Sequence, residues 1–112
     1  MAGRERLSDE QITRELATLP GWRYEPGAGK GPGALARTYK TDGWRATLLL
    51  VNAIAYLAEA ADHHPDLEAH WGSVVVRIST HSAGGVTPTD FELARQIEDT
   101  AQRGIKRHLI EG

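Results

Sequence analysis

The sequence predicts an α+β fold: a four-stranded antiparallel sheet with three helices on one face, in the order α-β-β-α-β-β-α. Three observations predict it. Three stretches repeat apolar residues at helical spacing, and the β-rich runs come in two pairs, each joined by a glycine-containing connection. The elements also lack the strict strand–helix alternation of a parallel sheet. The ββα pattern occurs twice, although no internal sequence repeat accompanies it.

Taking the elements in order, Ser8 followed three residues later by Gln11 matches a capping box, and Ile12, Leu16 and Leu19 recur at helical spacing up to Pro20. A first helix is expected over residues 9–19. Residues 22–24 and 35–40 predict two short strands. The connection EPGAGKGPG between them has too much Gly and Pro for regular structure, so it is expected to be a long, mobile hairpin loop.

Thr41-Asp42 can cap a second helix, on which Trp44, Leu48, Val51, Ala55 and Ala58 share one face and which should end near Asp62. Pro65 disfavours helical geometry at His64. Beyond it, Leu67, Ala69 and Trp71 alternate with Glu68 and His70, the pattern of a strand with one buried face. Gly72-Ser73 can turn the chain into the β-rich VVVRISTH, making a hairpin. Thr87, with Pro88 at the first helical position and Asp90 at the third, starts a last helix with the stripe Leu93, Ile97, Ala101 and Ile105.

The 112 residues suit one domain, 1–112, with one core and room for one site. Zero cysteines exclude disulfides, thiolate nucleophiles and cysteine-bound metal. A net charge of −2, with no block of Lys and Arg, leaves no electrostatic footprint for nucleic acid. The strongly apolar run at 46–57 is interrupted by Asn52, and MAGRERLSDE has no apolar core for a signal peptide, so neither membrane insertion nor export is expected and the cytoplasm is the default location.

The chemistry concentrates in EAADHHPD, residues 59–66. Glu59 sits three residues before Asp62, on roughly the same helical face. In a hairpin turning between Gly72 and Ser73, positions pair when their numbers sum to about 145, and His64 and His81 do. Three imidazoles and two carboxylates are thereby expected at one end of one hairpin. Imidazoles titrate near neutral pH, so such a cluster suits proton transfer in both directions.

Two other readings compete: the histidines only cap a helix and line a solvated edge, or His64, His81 and Glu59 ligate a metal. Adjacent histidines in extended chain point to opposite faces, which makes a chelate through both His63 and His64 awkward. Trp22, Trp44 and Trp71 fit core periodicity better than a ligand-stacking set, with Trp71 the most open case. His70 and His108 lack convincing local acids and read as surface residues. The glycines at 27, 29, 31 and 33 have no strand-to-helix context and form no phosphate loop.

E-A-A-D-H-H-P from Glu59, Trp71 after five residues, His81 after nine more and Asp90 after eight more resembles the signature of the pterin-4a-carbinolamine dehydratases. LSDEQI, Gly21-Trp22, the long helix, Ser79-Thr80-His81 and TPTDFELA extend the resemblance over most of the chain. It implies an antiparallel α+β fold, a homodimer or homotetramer, a pterin substrate, and no metal or organic cofactor. The implied activity is that of a hydro-lyase: water leaves 4a-hydroxytetrahydropterin to give quinonoid dihydropterin, in tetrahydrobiopterin recycling for aromatic amino-acid hydroxylases.

By the same resemblance His63 and His81 are the acid–base histidines, His64 holds the pterin, and Glu59 orients the site. Asp62 and Asp90 are supporting acids, and with Trp71, Ser79 and Thr80 they make up the expected substrate-binding set. Leu67, where many relatives carry an aromatic, and the long EPGAGKGPG loop depart from the pattern and bear on pterin stacking and on the site entrance. Some relatives act as dimerisation partners of transcription factors or as assembly factors, so a non-catalytic interaction module is the alternative. Such a module has no chemical need for Glu59, His63, His64 and His81 together.

Overall fold

The computed structural model describes residues 3–27 and 33–110. Its elements are α1 (Asp9–Leu16), β1 (Arg23–Glu25), β2 (Ala34–Thr41), α2 (Trp44–Ala61), β3 (Asp66–His70), β4 (Ser73–Ile78), α3 (Pro88–Gly104) and β5 (Leu109–Ile110). The expected order is present, with two-residue β5 added. The antiparallel sheet therefore has five strands, not four: β1-β2-β4-β3, with β5 pairing β2 through Lys40↔Ile110 and Thr41↔Leu109. A two-residue strand carries no alternation that a sequence pattern could reveal.

Helix α1 begins as expected, with Ser8 Oγ accepting from the Gln11 N–H and Gln11 Oε1 accepting from the Ser8 N–H. It stops at Leu16, short of residue 19, because the chain tightens into turns in which Leu16 O accepts from Leu19 N and Leu19 O from Trp22 N. Leu19 is buried all the same. The loop expected over residues 25–33 falls largely on residues 28–32, outside those described.

Val74, Val76 and Ile78 of β4 and Leu35 and Tyr39 of β2 face the helices, packing with Ile12 of α1, Leu50 and Ile54 of α2, and Phe91, Leu93 and Ile97 of α3. The opposite face of the sheet is polar: Arg77 pairs with Glu25 at 2.8 Å and with Glu68, and His70 pairs with Glu68 at 3.2 Å. Arg77 together with Arg23 holds the Glu25 carboxyl below the usual range, with Arg77 the larger influence.

Two helix and strand faces differ from expectation. Helix α2 buries Thr47, Leu50, Ile54 and Ala58, whereas Trp44 and Leu48 of the expected stripe are 47% and 40% exposed. The helix is apolar almost all round, so several 3.6-spaced stripes fit and periodicity alone cannot choose among them. Thr41 ends β2, Asp42 pairs with His108 at 3.2 Å, and the N-cap is Gly43 with no side-chain cap. On β3 only Leu67 is partly buried, because this strand is the sheet edge.

The β3–β4 register also shifts. Asp66 pairs with Arg77 and His70 with Ser73, so paired numbers sum to 143 and the turn is Trp71-Gly72. Long-range bonds set it there: Gly72 O accepts from the Thr41 N–H at 2.9 Å and Trp71 O from Thr47 Oγ1 at 3.2 Å. His64 consequently precedes the strand, and His81 opens a 3-10 turn, His81–Ala83, instead of ending β4.

Candidate active site

The site is organised where α2 ends. Asp62 takes the left-handed conformation at φ 51°, one that Asp tolerates better than most residues. The reversal lets Glu59 O accept from the Asp62 N–H and Ala58 O from the His63 N–H. It turns His63 inward, to 8% exposure. The next residue points the other way: His64 is 58% exposed, its Nε2 2.9 Å from Glu59 Oε1. The opposed faces expected for adjacent histidines are those observed.

Asp90, fully buried in the first turn of α3, meets His63: Oδ1 lies 2.5 Å from His63 Nε2. Its Oδ2 accepts from the Thr87 N–H and from Thr80 Oγ1, each at 2.8 Å. The Thr87 hydroxyl completes the chain at 2.9 Å from Thr80 Oγ1 and 3.3 Å from Oδ2. The carboxylate meets donors on Oδ2, so the His63 imidazole N–H is the donor to Oδ1. That fixes the tautomer and leaves Nδ1 as the free nitrogen.

One carboxylate thus grips two segments. Its Oδ1 holds His63, and its Oδ2 holds Thr80, the residue immediately before exposed His81. A backbone bridge between Thr80 and Gly85 closes the 81–84 turn, and Thr80 N donates to Gly85 O at 2.9 Å. Half-buried Ser79 precedes it.

His63, Asp90 and Thr80 are therefore brought together, with exposed His81 next in the chain after Thr80 and the Glu59–His64 pair at the end of α2. Thr80 is directed to Asp90, a positioning contact. Trp71 is not brought to the histidines within one chain: its carbonyl is bonded near Thr47, and from Thr47 to Ala58 the helix rises about 16 Å. Trp71 is 71% exposed and lies against Gly43.

Among the described residues, no group of three His, Asp or Glu side chains is placed to hold a metal ion. Sequence reasoning missed Thr87, seen only as a helix start. The capping-box spacing to Asp90 was readable, but not that the capping acid also holds a histidine 27 residues back.

A family model described as pterin 4 alpha carbinolamine dehydratase matches residues 5–100. A relative from Aquifex aeolicus is 40% identical, over 90% of this chain and 96% of its own length, and one from Nocardia farcinica is 42% identical, over 88% and 97%. Both are named, provisionally, as pterin-4-alpha-carbinolamine dehydratases. A crystal structure of a transcriptional coactivator/pterin dehydratase from Brucella melitensis superposes with a TM-score of 0.77 at 30% identity, covering 87% of this chain and 99% of that one.

Proposed function

The chain belongs to the pterin 4 alpha carbinolamine dehydratase family, and from that premise we propose that it removes water from 4a-hydroxytetrahydropterin by histidine acid–base catalysis, giving quinonoid dihydropterin in tetrahydrobiopterin recycling. A carbinolamine expels its hydroxyl with the help of the neighbouring nitrogen lone pair. The reaction then needs a proton for the departing oxygen and a base for the ring N–H proton, a task for two imidazoles without a metal or organic cofactor. His63 through Nδ1 and His81 are the proposed pair, with His64 and Glu59 holding and orienting the pterin and Asp62 and Ser79 flanking it.

The observation that carries this reading is the buried Asp90 carboxylate bonded to His63 Nε2. A histidine that only lines a solvated edge has no use for a buried carboxylate, whereas a catalytic one needs its tautomer and ring plane fixed. The test is the rate at which quinonoid dihydropterin appears, by absorbance, from 4a-hydroxytetrahydropterin generated in situ, with and without the protein and with His63→Ala. Acceleration that disappears in the variant supports the dehydratase. No acceleration would mean that the fold serves binding.

That second reading, an interaction module, is favoured by one finding: the Brucella melitensis neighbour is named both a transcriptional coactivator and a pterin dehydratase. Homodimer or homotetramer formation is part of both readings, supported by Trp44, Leu48, Leu49 and Tyr56 exposed on α2. A cytoplasmic location and a single domain over 1–112 complete the proposal. No helix among the described residues is long and apolar enough to cross a membrane.

A further inference from the structure

On β2, residues Ala34, Leu35 and Ala36 pair with β1, and Lys40 and Thr41 pair with β5. Among the described residues, Arg37, Thr38 and Tyr39 have no strand beside them on that edge. The gap opens into a cavity of about 600 Å³ whose lining includes Gly21, Arg23, Arg37, Lys40, Glu98 and Lys106. That volume lies in the range of small-molecule sites.

The lining is cationic in a chain of net charge −2, so it does not simply reflect overall composition. Its one carboxylate among the described residues is already engaged. Glu98 Oε1 accepts from Tyr39 OH at 2.6 Å and Trp22 Nε1 at 3.0 Å, and Oε2 accepts from Gln102 Nε2 at 2.9 Å. Arg37 Nε stands 3.7 Å from Glu98 Oε1, buried and without a hydrogen-bond partner among the described residues.

Arg37 is also held in place. Its Nη1 donates to Pro20 O at 3.0 Å, and its guanidinium lies 4.6 Å from the Tyr39 ring centroid. Gly21 makes room for it: at φ +90° a Cβ there would sit 1.1 Å from Nη1. The glycine of Gly21-Trp22 thus suits both its positive φ and the position of the arginine it faces. An immobilised guanidinium loses little freedom when it binds, and its planar fork matches an oxyanion better than a mobile lysine does.

We propose that this notch in the sheet edge binds a small anion carrying two oxyanion groups, phosphate or carboxylate, with Arg37 as its fixed anchor and Lys40 and Lys106 neutralising the rest, while Arg23 at the rim stays paired with Glu25 at 3.0 Å. The site is separate from the histidine cluster and does not depend on the proposed dehydration. Glu98 lies two turns along α3 from Asp90, about 12 Å of helix.

The test follows backbone amide NMR shifts of the full chain during titration with sodium pyrophosphate, sodium malonate or sodium chloride at matched ionic strength. Saturable shifts at Gly21, Arg23, Arg37, Tyr39 and Lys106 with either polyanion are expected. Pyrophosphate alone marks a phosphate site, malonate alone a carboxylate site, and both a general oxyanion site. The exposed pair Lys40→Gln/Lys106→Gln should keep the fold and weaken binding by about tenfold. Shifts that merely follow chloride, that spread over the surface, or that survive unchanged in the double variant would overturn the proposal.

Discussion

His63 at the C-terminal end of α2 and Asp90 in the first turn of α3 meet through Nε2 and Oδ1 at 2.5 Å, and Asp90 has no solvent exposure. The same carboxylate caps its own helix through the Thr87 N–H. One side chain therefore fixes the helix start and the histidine tautomer together. Asp90→Asn keeps the shape but presents an amide, so one of the present contacts must be lost or reversed. Turnover should fall by about 10²-fold or more, approaching His63→Ala, whose loss should be about 10²–10⁴-fold. A pH–rate profile unchanged from the parent in Asp90→Asn would remove Asp90 from the positioning role.

His81 is exposed at the start of its 3-10 turn, where it contributes little to the core. His81→Ala should leave the thermal midpoint within about 2 °C of the parent, since surface changes of this kind shift stability by only about 0.5 kcal/mol. Dehydration should nonetheless fall by about 10²-fold or more. Normal turnover in a folded His81→Ala protein would end its assignment as a proton-transfer group.

How far the sequence could be read depended on the range of the forces involved. Local signals were legible: the Ser8–Gln11 and Thr87–Asp90 capping boxes involve neighbours three residues apart. The paired strands and the acid-rich histidine run were legible too. The hairpin register was not, because the turn is fixed by Thr41 and Thr47 reaching Gly72 and Trp71 across the fold. Nor was the contact between His63 and Asp90 accessible to spacing; the family resemblance singled out both residues without showing that they touch.

The buried face of α2 differs from the stripe that its periodicity predicts, and the difference is itself testable. Leu50 is fully buried and Leu48 is 40% exposed, two residues apart on one helix. Leu50→Ala should cost about 2–5 kcal/mol, the range for a buried leucine, and Leu48→Ala much less within one chain. Denaturant unfolding at a protein concentration where the chain is monomeric separates the two. Equal losses would contradict the assignment of the faces.

If the exposed side of α2 is covered by a second copy, a charge placed there should break the assembly without unfolding the chain. Leu48→Glu puts a carboxylate between exposed Trp44 and Leu49, where burial without a partner is costly. Sedimentation should show the variant as a monomer with unchanged circular dichroism. An assembly of undiminished mass in Leu48→Glu would place the interface elsewhere.

Tyr39 provides the pH-dependent signature of the fold. Burial, and next the Glu98 carboxylate that accepts its hydrogen bond, push the phenol well above its ordinary value of 10.0. In the unfolded chain the same phenol ionises near pH 10, so the unfolded state releases a proton that the folded state retains. The contribution to stability is complete below about pH 10 and is lost progressively as the pH rises above it. Tyrosinate absorbance followed with circular dichroism should show one late component that appears only as the fold is lost. In Tyr39→Phe that component should vanish, and stability should fall less steeply with pH in this range. A late component that survives the substitution belongs to another tyrosine and would remove Tyr39 from this account.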